Sequence, residues 1–327
     1  MSDRRRAVSA GGVACALVLV ILGAALAPAQ AQDDLPVDVP LADGDFAGYV
    51  GIGDRRKLYL ECHGSGSPTV ILEAGLRSRS DFWSERTEET VTQTVFPAVA
   101  RFTRVCAYDR PGTTLGTTEF SRSDPVPMPR TARDAVADLR ALIKAAPIRG
   151  RHVLVGHSTG GLIVRMYASL YPKRVAGLVL VDALSESLRR GLTREQLAAY
   201  DELNNGPLPG LESYTDLEQI LFRPSFEQMR RIVARHPLPP MPFVVISRGL
   251  AFPLPDGLPA GLTTDVVERA WRESQRALAR LLPGARHRIA DRSQHYIMFS
   301  QPRLIIRSMR SVVDRARRPA RTASRER

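Results

Sequence analysis

The chain reads as an α/β protein with a mainly parallel, eight-stranded sheet covered by helices on both faces. Three observations predict this. Short apolar runs alternate with amphipathic helical patterns along most of the sequence, a hairpin signal stands ahead of them, and the string Gly156-His157-Ser158-Thr159-Gly160 joins an apolar run to a helical one. The 327 residues, 44% apolar and 24% charged, are enough for one large α/β domain.

The first residues differ from the rest. Arg4, Arg5 and Arg6 precede an apolar stretch from Val13 to Leu26, and Ala29-Gln30-Ala31 follows. Residues 1–31 therefore read as a secretory signal peptide cleaved after Ala31, which predicts a secreted or cell-envelope protein. The alternative is an uncleaved membrane anchor, since the apolar stretch is only a little short of a bilayer span. Cleavage takes Cys15 with it and leaves Cys62 and Cys106, both on expected strands.

Phe46 to Ile52 and Arg56 to Cys62 flank Gly53-Asp54 and predict an antiparallel hairpin at the start of the sheet. Thr69 to Glu73, Arg104 to Asp109, His152 to Val155, Gly177 to Val181, Phe243 to Ser247 and Arg286 to Ile289 supply six further strands. Between them, Ala132, Ala135, Val136, Leu139, Leu142 and Ile143 share one face of a helix starting near Thr131. Pro172 stops the helix after Ser158; Val267 to Leu282 forms another, closed by Pro283-Gly284, and Leu304 to Val313 forms the last.

The alternation fails between Val181 and Phe243. Short helical patterns broken by Asn204-Asn205-Gly206-Pro207, Pro209-Gly210 and Pro224 predict a helical lid inserted after the sixth strand. The expected organisation is a leader over 1–31, a core over 32–183, the lid over 184–240, the rest of the core over 241–314 and a basic disordered tail over 315–327. Net charge is +12, and much of the excess sits in that tail. Without interleaved aromatics or a recognisable motif it predicts no nucleic-acid binding, but weak attraction to an anionic cell surface.

The chemistry lies in a Ser, Asp, His order. A serine hydroxyl is a poor nucleophile near neutral pH and needs a general base oriented by a carboxylate. Ser158 sits on the strand-to-helix turn, where a strained backbone lifts its hydroxyl clear of the sheet. Of six histidines, His295 alone follows the last strand in a loop able to reach back over the sheet edge. Two acids compete: Asp182 at the tip of its strand, and Asp256 after the long run Arg248 to Pro255. Asp182 is preferred because it needs no long excursion; its structural alternative is a strand-end cap. The developing oxyanion needs fixed N–H donors, for which Thr159 and Leu76 are the candidates. Ala74-Gly75-Leu76 reads alternatively as a simple tight turn.

Glu73-Ala74-Gly75, Tyr108-Asp109-Arg110-Pro111-Gly112, Gly156-His157-Ser158-Thr159-Gly160-Gly161, Leu178-Val179-Leu180-Val181-Asp182 and His295 together resemble the α/β-hydrolase superfamily, over about Tyr49 to Val313. The resemblance extends to a group of largely uncharacterised bacterial α/β-fold hydrolases, and it implies a serine hydrolase fold and triad. Two departures stand out: no acid follows the seventh strand at the usual distance, and Gln294 stands where a glycine often precedes the histidine. The superfamily's strand order makes the second and fourth strands antiparallel neighbours, which implies a disulfide between Cys62 and Cys106.

The expected function is hydrolysis of a small-molecule carboxylic ester through an acyl-enzyme on Ser158. Amide, lactone or carbon-carbon cleavage are alternatives, as is a low-turnover ligand-binding or receptor-like protein on the same fold. No metal cluster, phosphate loop or dinucleotide fingerprint appears, so no cofactor is expected.

Overall fold

The computed structural model of the protein describes residues 45–87, 93–146 and 148–318; the expected leader and residues 319–327 lie outside them. In chain order the strands are β1 (Phe46–Gly53), β2 (Arg56–His63), β3 (Val70–Glu73), β4 (Val105–Tyr108), β5 (Thr114–Leu115), β6 (Glu119–Phe120), β7 (His152–His157), β8 (Val175–Val181), β9 (Phe243–Arg248) and β10 (Arg286–Ala290). The helices are α1 (Val95–Ala100), α2 (Ala132–Ala145), α3 (Thr159–Leu170), α4 (Arg194–Asn205), α5 (Phe222–Arg235), α6 (Thr264–Ala279), α7 (Ile297–Ser300) and α8 (Pro302–Arg317).

Eight strands form one sheet in the order β1-β2-β4-β3-β7-β8-β9-β10. β2 pairs antiparallel with both β1 and β4, and every other pairing in the sheet is parallel. The eight strands are those that the apolar runs predict. Their character follows from position: every residue of β3, β4, β7, β8 and β9 is buried, whereas edge strand β10 keeps most of its residues at least partly exposed.

Alternation within the strands divides the core in two. Leu154, Leu178, Leu180 and Val245 face one apolar cluster with α2, α3 and Trp271 of α6. Val153, Val155, Val179, Val181, Val244 and Ile246 face the other, with α1 and α8. The β2–β4 register sets Cys62 opposite Cys106, with Cα atoms 4.0 Å apart.

Several details depart from the sequence reading. The ribbon β5–β6, the helix α1 and a 3₁₀ turn over Ser80–Trp83 occupy a stretch with no clear period. Between β8 and β9 the chain forms a 3₁₀ turn (Glu186–Arg190), α4 and α5, and Pro224 does not interrupt α5 but lies in its first turn, where no intrahelical N–H is required. Helix α8 reaches Arg317, so Arg315 and Arg317 are helical and do not belong to a frayed tail. Buried Val312 and Val313 hold that last stretch to the sheet, and its arginines complement the helix dipole.

From β3 the sheet is extended in one direction by β4 and in the other by β7. The chain therefore diverges at the carboxyl ends of β3 and β7, the place where open α/β sheets leave a crevice.

Candidate active site

Ser158 stands at that crevice, directly after β7. Its backbone has φ 51° and ψ −124°, a region that costs a non-glycine residue of order 1–3 kcal/mol. The strain is held from both sides: Ser158 N–H donates to Val181 at 3.1 Å, and its carbonyl accepts from Gly161 at 2.9 Å and Leu184 at 2.8 Å. The turn closes only because its flanks are glycines. A β-carbon on Gly160 would lie 2.4 Å from the Ala74 carbonyl, and one on Gly156 would lie 2.4 Å from the carbonyl of Gly160.

Asp182 follows β8, with its N–H bonded to the Ile246 carbonyl at 2.7 Å and a positive φ of 41°. Its carboxylate is fully buried and accepts from four donors: His295 Nδ1 at 2.6 Å, Trp271 Nε1 at 2.9 Å, the Arg248 guanidinium at 2.5 Å and the Arg248 backbone N–H at 3.2 Å. Burial alone would raise its pKa. Arg248 and His295 outweigh burial and hold the carboxyl well below the usual carboxylate range. Asp256, the competing acid, is exposed on the loop between β9 and α6.

A carboxylate at Nδ1 fixes the His295 tautomer and leaves Nε2 able to accept a proton. The His295 ring lies 4.6 Å from that of His157, the residue before Ser158, measured between centroids. His157 also tethers the loop, since its Nε2 donates to the His295 carbonyl at 3.0 Å. Burial pushes the His157 pKa down to about 3, so the ring is neutral and the proton that makes this bond belongs on Nε2. Phe252, Trp271 and Tyr296 complete an aromatic surround for His295 at 5.4 to 5.6 Å.

Thr159 opens α3, and the loop Ala74-Gly75-Leu76 lies against the turn: a β-carbon on Gly75 would be 3.3 Å from Ser158 Cβ. This loop rests on buried charges. Arg110 donates to the carbonyls of Ala74 at 3.0 Å and Gly75 at 2.6 Å, to Glu73 at 2.5 Å, and to both oxygens of Glu218 at 2.6 and 2.8 Å. Glu218 in turn accepts the Arg77 N–H at 2.6 Å. Burial alone would weaken the charge on Arg110, but Glu218 and Glu73 keep it cationic.

The structure thus sets Leu76, Ser158 with Thr159, and Asp182 after the adjacent strands β3, β7 and β8, brings His295 from the loop after β10 onto Asp182, and leaves Asp256 aside. The sequence reading missed Arg248, Trp271, Glu268 and Glu218. Only Arg248 carried a signal: a charged residue directly after the expected strand Phe243 to Ser247.

Comparisons with known proteins agree with this architecture. Over 130 residues the chain is 32% identical to an Azorhizobium caulinodans protein named as the carbamate hydrolase RutD, a match covering 40% of this chain and 42% of that protein. The chain spans 19% to 42% of the length of four of the curated relatives it matches. Among solved structures, the haloalkane dehalogenase DatA from Agrobacterium tumefaciens C58 is similar with a TM-score of 0.55 and 16% identity, covering 84% of this chain and 98% of that one. A thermophilic esterase from Thermogutta terrifontis is similar with a TM-score of 0.52 and 18% identity, over 83% and 99% respectively. At these identities the structural likeness speaks for the fold alone. Residues 62–318 match the model of the alpha/beta hydrolase family, and the chain belongs to that family.

Proposed function

We propose that this hydrolase cleaves carboxylic esters of small molecules through a covalent acyl-enzyme on Ser158. The hydrogen bond from His295 to Asp182, at the strand tips beside the strained Ser158, carries this reading. Ser158 Oγ attacks the ester carbonyl while His295 Nε2 takes its proton, and Asp182 steadies the imidazolium. The N–H groups of Thr159 and Leu76 receive the oxyanion. Collapse of the tetrahedral intermediate expels the alcohol, which receives the proton from His295. Water then attacks the acyl group, again with His295 as base, and releases the acid and the free Ser158 hydroxyl.

The test is turnover of p-nitrophenyl esters of short and long acids, with an aryl carbamate added because of the relative named for that activity. Ester turnover lost in Ser158→Ala supports the reading. Covalent labelling by a fluorophosphonate without turnover of any ester points to the ligand-binding alternative.

We further propose an exported or envelope-bound protein with a Cys62–Cys106 disulfide, a pairing supported by the β2–β4 register that sets the two residues directly opposite each other. The contact proposed with an anionic cell surface is supported by a cleft of about 540 Å³ between β10 and α8. Arg286, Arg307, Arg310, Arg315 and Arg318 line it and outnumber its one acid, Asp314.

A further inference from the structure

The tip of β9 is where superfamily resemblance leads one to expect the acid, and it carries a cation. Arg248 is almost wholly buried. Its Nη1 reaches Asp182 Oδ2 at 2.5 Å, the same oxygen that accepts from His295 Nδ1, and its backbone N–H reaches Oδ1 at 3.2 Å. The other side of the guanidinium is occupied by Glu268 of α6, which accepts from Nε at 3.0 Å and Nη2 at 2.6 Å. Trp271, one turn further along α6, lies under the guanidinium at 4.6 Å and donates to Asp182.

We propose that Arg248, locked by Glu268, is a positioning residue that fixes the Asp182 carboxylate against His295 and limits how strongly that carboxylate stabilises the imidazolium. The inference rests on the triad reading above. Two consequences have opposite sign. Donors on both sides of the carboxylate stop it rotating, which keeps the acceptor oxygen facing Nδ1. The oxygen that faces the imidazole is also shared with a fixed positive charge, so less negative potential reaches the ring. Glu268 restores part of it from the far side of Arg248. Three buried charges therefore act on His295 as a graded set, Asp182 nearest, Arg248 next and Glu268 beyond. The other titratable groups around them are His157, held neutral, and Tyr296 and Tyr200, whose phenols burial keeps protonated; Arg272 lies on the solvent side of Glu268 at 3.5 Å.

A purely structural ion pair would affect stability without altering His295 titration in a charge-dependent direction. The experiment follows the His295 imidazole by NMR in the full-length protein across pH, together with kcat/KM for a p-nitrophenyl ester. Glu268→Gln, which keeps shape and removes the distal negative charge, leaves Arg248 undiluted. The His295 midpoint should fall by about half a pH unit. Arg248→Met with Glu268→Gln removes the pair without orphaning either charge; the midpoint should rise by about one unit, the acid limb of kcat/KM should follow, and kcat should drop as the carboxylate loosens. Arg248→Lys keeps the charge and loses the fork, so the midpoint should stay near that of the parent while kcat falls. A midpoint that does not move in Glu268→Gln, or moves upward, overturns the proposal, and that variant answers the question even if the double variant does not fold. The NMR reading does not depend on turnover. Midpoints that move as stated in a protein without ester turnover would sustain this inference and sink the esterase reading; turnover with unmoved midpoints would do the reverse.

Discussion

At Asp182 four donors converge on two buried carboxylate oxygens, and only one of them is His295. Replacing the acid with Asn keeps the shape and inverts the hydrogen-bonding sense at one position, so the imidazole loses the partner that sets its tautomer. Asp182→Asn should lower kcat/KM about a thousandfold or more, while Asp256→Asn leaves it unchanged; steady-state kinetics on both variants check the assignment. A second residue-scale prediction concerns pH. Burial pushes His157 down to about 3 and His152 to about 4, whereas both take up a proton near 6.5 once unfolded. Below pH 6.5 the unfolded chain therefore binds protons that the native state refuses, and stability falls as pH drops, levelling off only below the native values. Each fully refused proton costs about 1.4 kcal/mol per pH unit. Urea unfolding at pH 7, 6 and 5 should show a declining midpoint, and a folded His157→Gln variant should show a shallower decline. The turn that holds Ser158 and the loop that holds His295 were legible from the sequence because strand-to-helix glycines and a post-strand loop are local patterns. Arg248 and Glu268 were not, because their pairing joins β9 to α6 across 20 residues and no short-range pattern encodes it.

At the scale of elements, the insertion between β8 and β9 does more than pack α5 against α2 and α3. Glu218 reaches from it to Arg110 and to the N–H of Arg77, so it supports the loop that carries Leu76. Removing the Glu218 carboxylate leaves Glu73 to pair alone with the buried Arg110 guanidinium, at a cost below the about 3–5 kcal/mol of a fully broken buried pair. Glu218→Gln retains part of the hydrogen bonding; it should lower the melting temperature and slow acylation more than it weakens substrate binding, which thermal unfolding and a KM-against-kcat comparison will show. The insertion's existence was readable from the lost strand–helix alternation, and its apolar residues do pack, as Leu197, Phe222, Phe226 and Met229 are buried. Its internal order was harder to read. Pro224 resembles a breaker in sequence, yet it occupies a first turn where proline is compatible with the helix, and only the helix's start distinguishes the two cases. The end of α8 was misread for a related reason: a run of arginines suggests a solvated tail, but one buried face is enough to keep it helical.

For the whole molecule, the parallel centre of the sheet sets the strand tips that hold the proposed site on one edge, while the antiparallel start of the sheet joins Cys62 to the neighbourhood of Cys106. A bridge between positions 44 apart in sequence would contribute about 4 kcal/mol by the chain-entropy estimate. Replacing both cysteines with Ala should lower the melting temperature by several degrees without abolishing ester turnover. Finding two alkylatable thiols in unreduced, denatured protein would contradict the bridge. Sheet order was legible only through superfamily resemblance, since strand neighbours distant in sequence leave no periodic trace. The most direct test of the central claim is fluorophosphonate labelling of the folded protein with the adduct mapped by mass spectrometry. The account predicts a single adduct on Ser158, formed rapidly in the parent and much more slowly in His295→Ala. Folded parent protein that acquires no adduct at Ser158, or labels equally fast without His295, would contradict it.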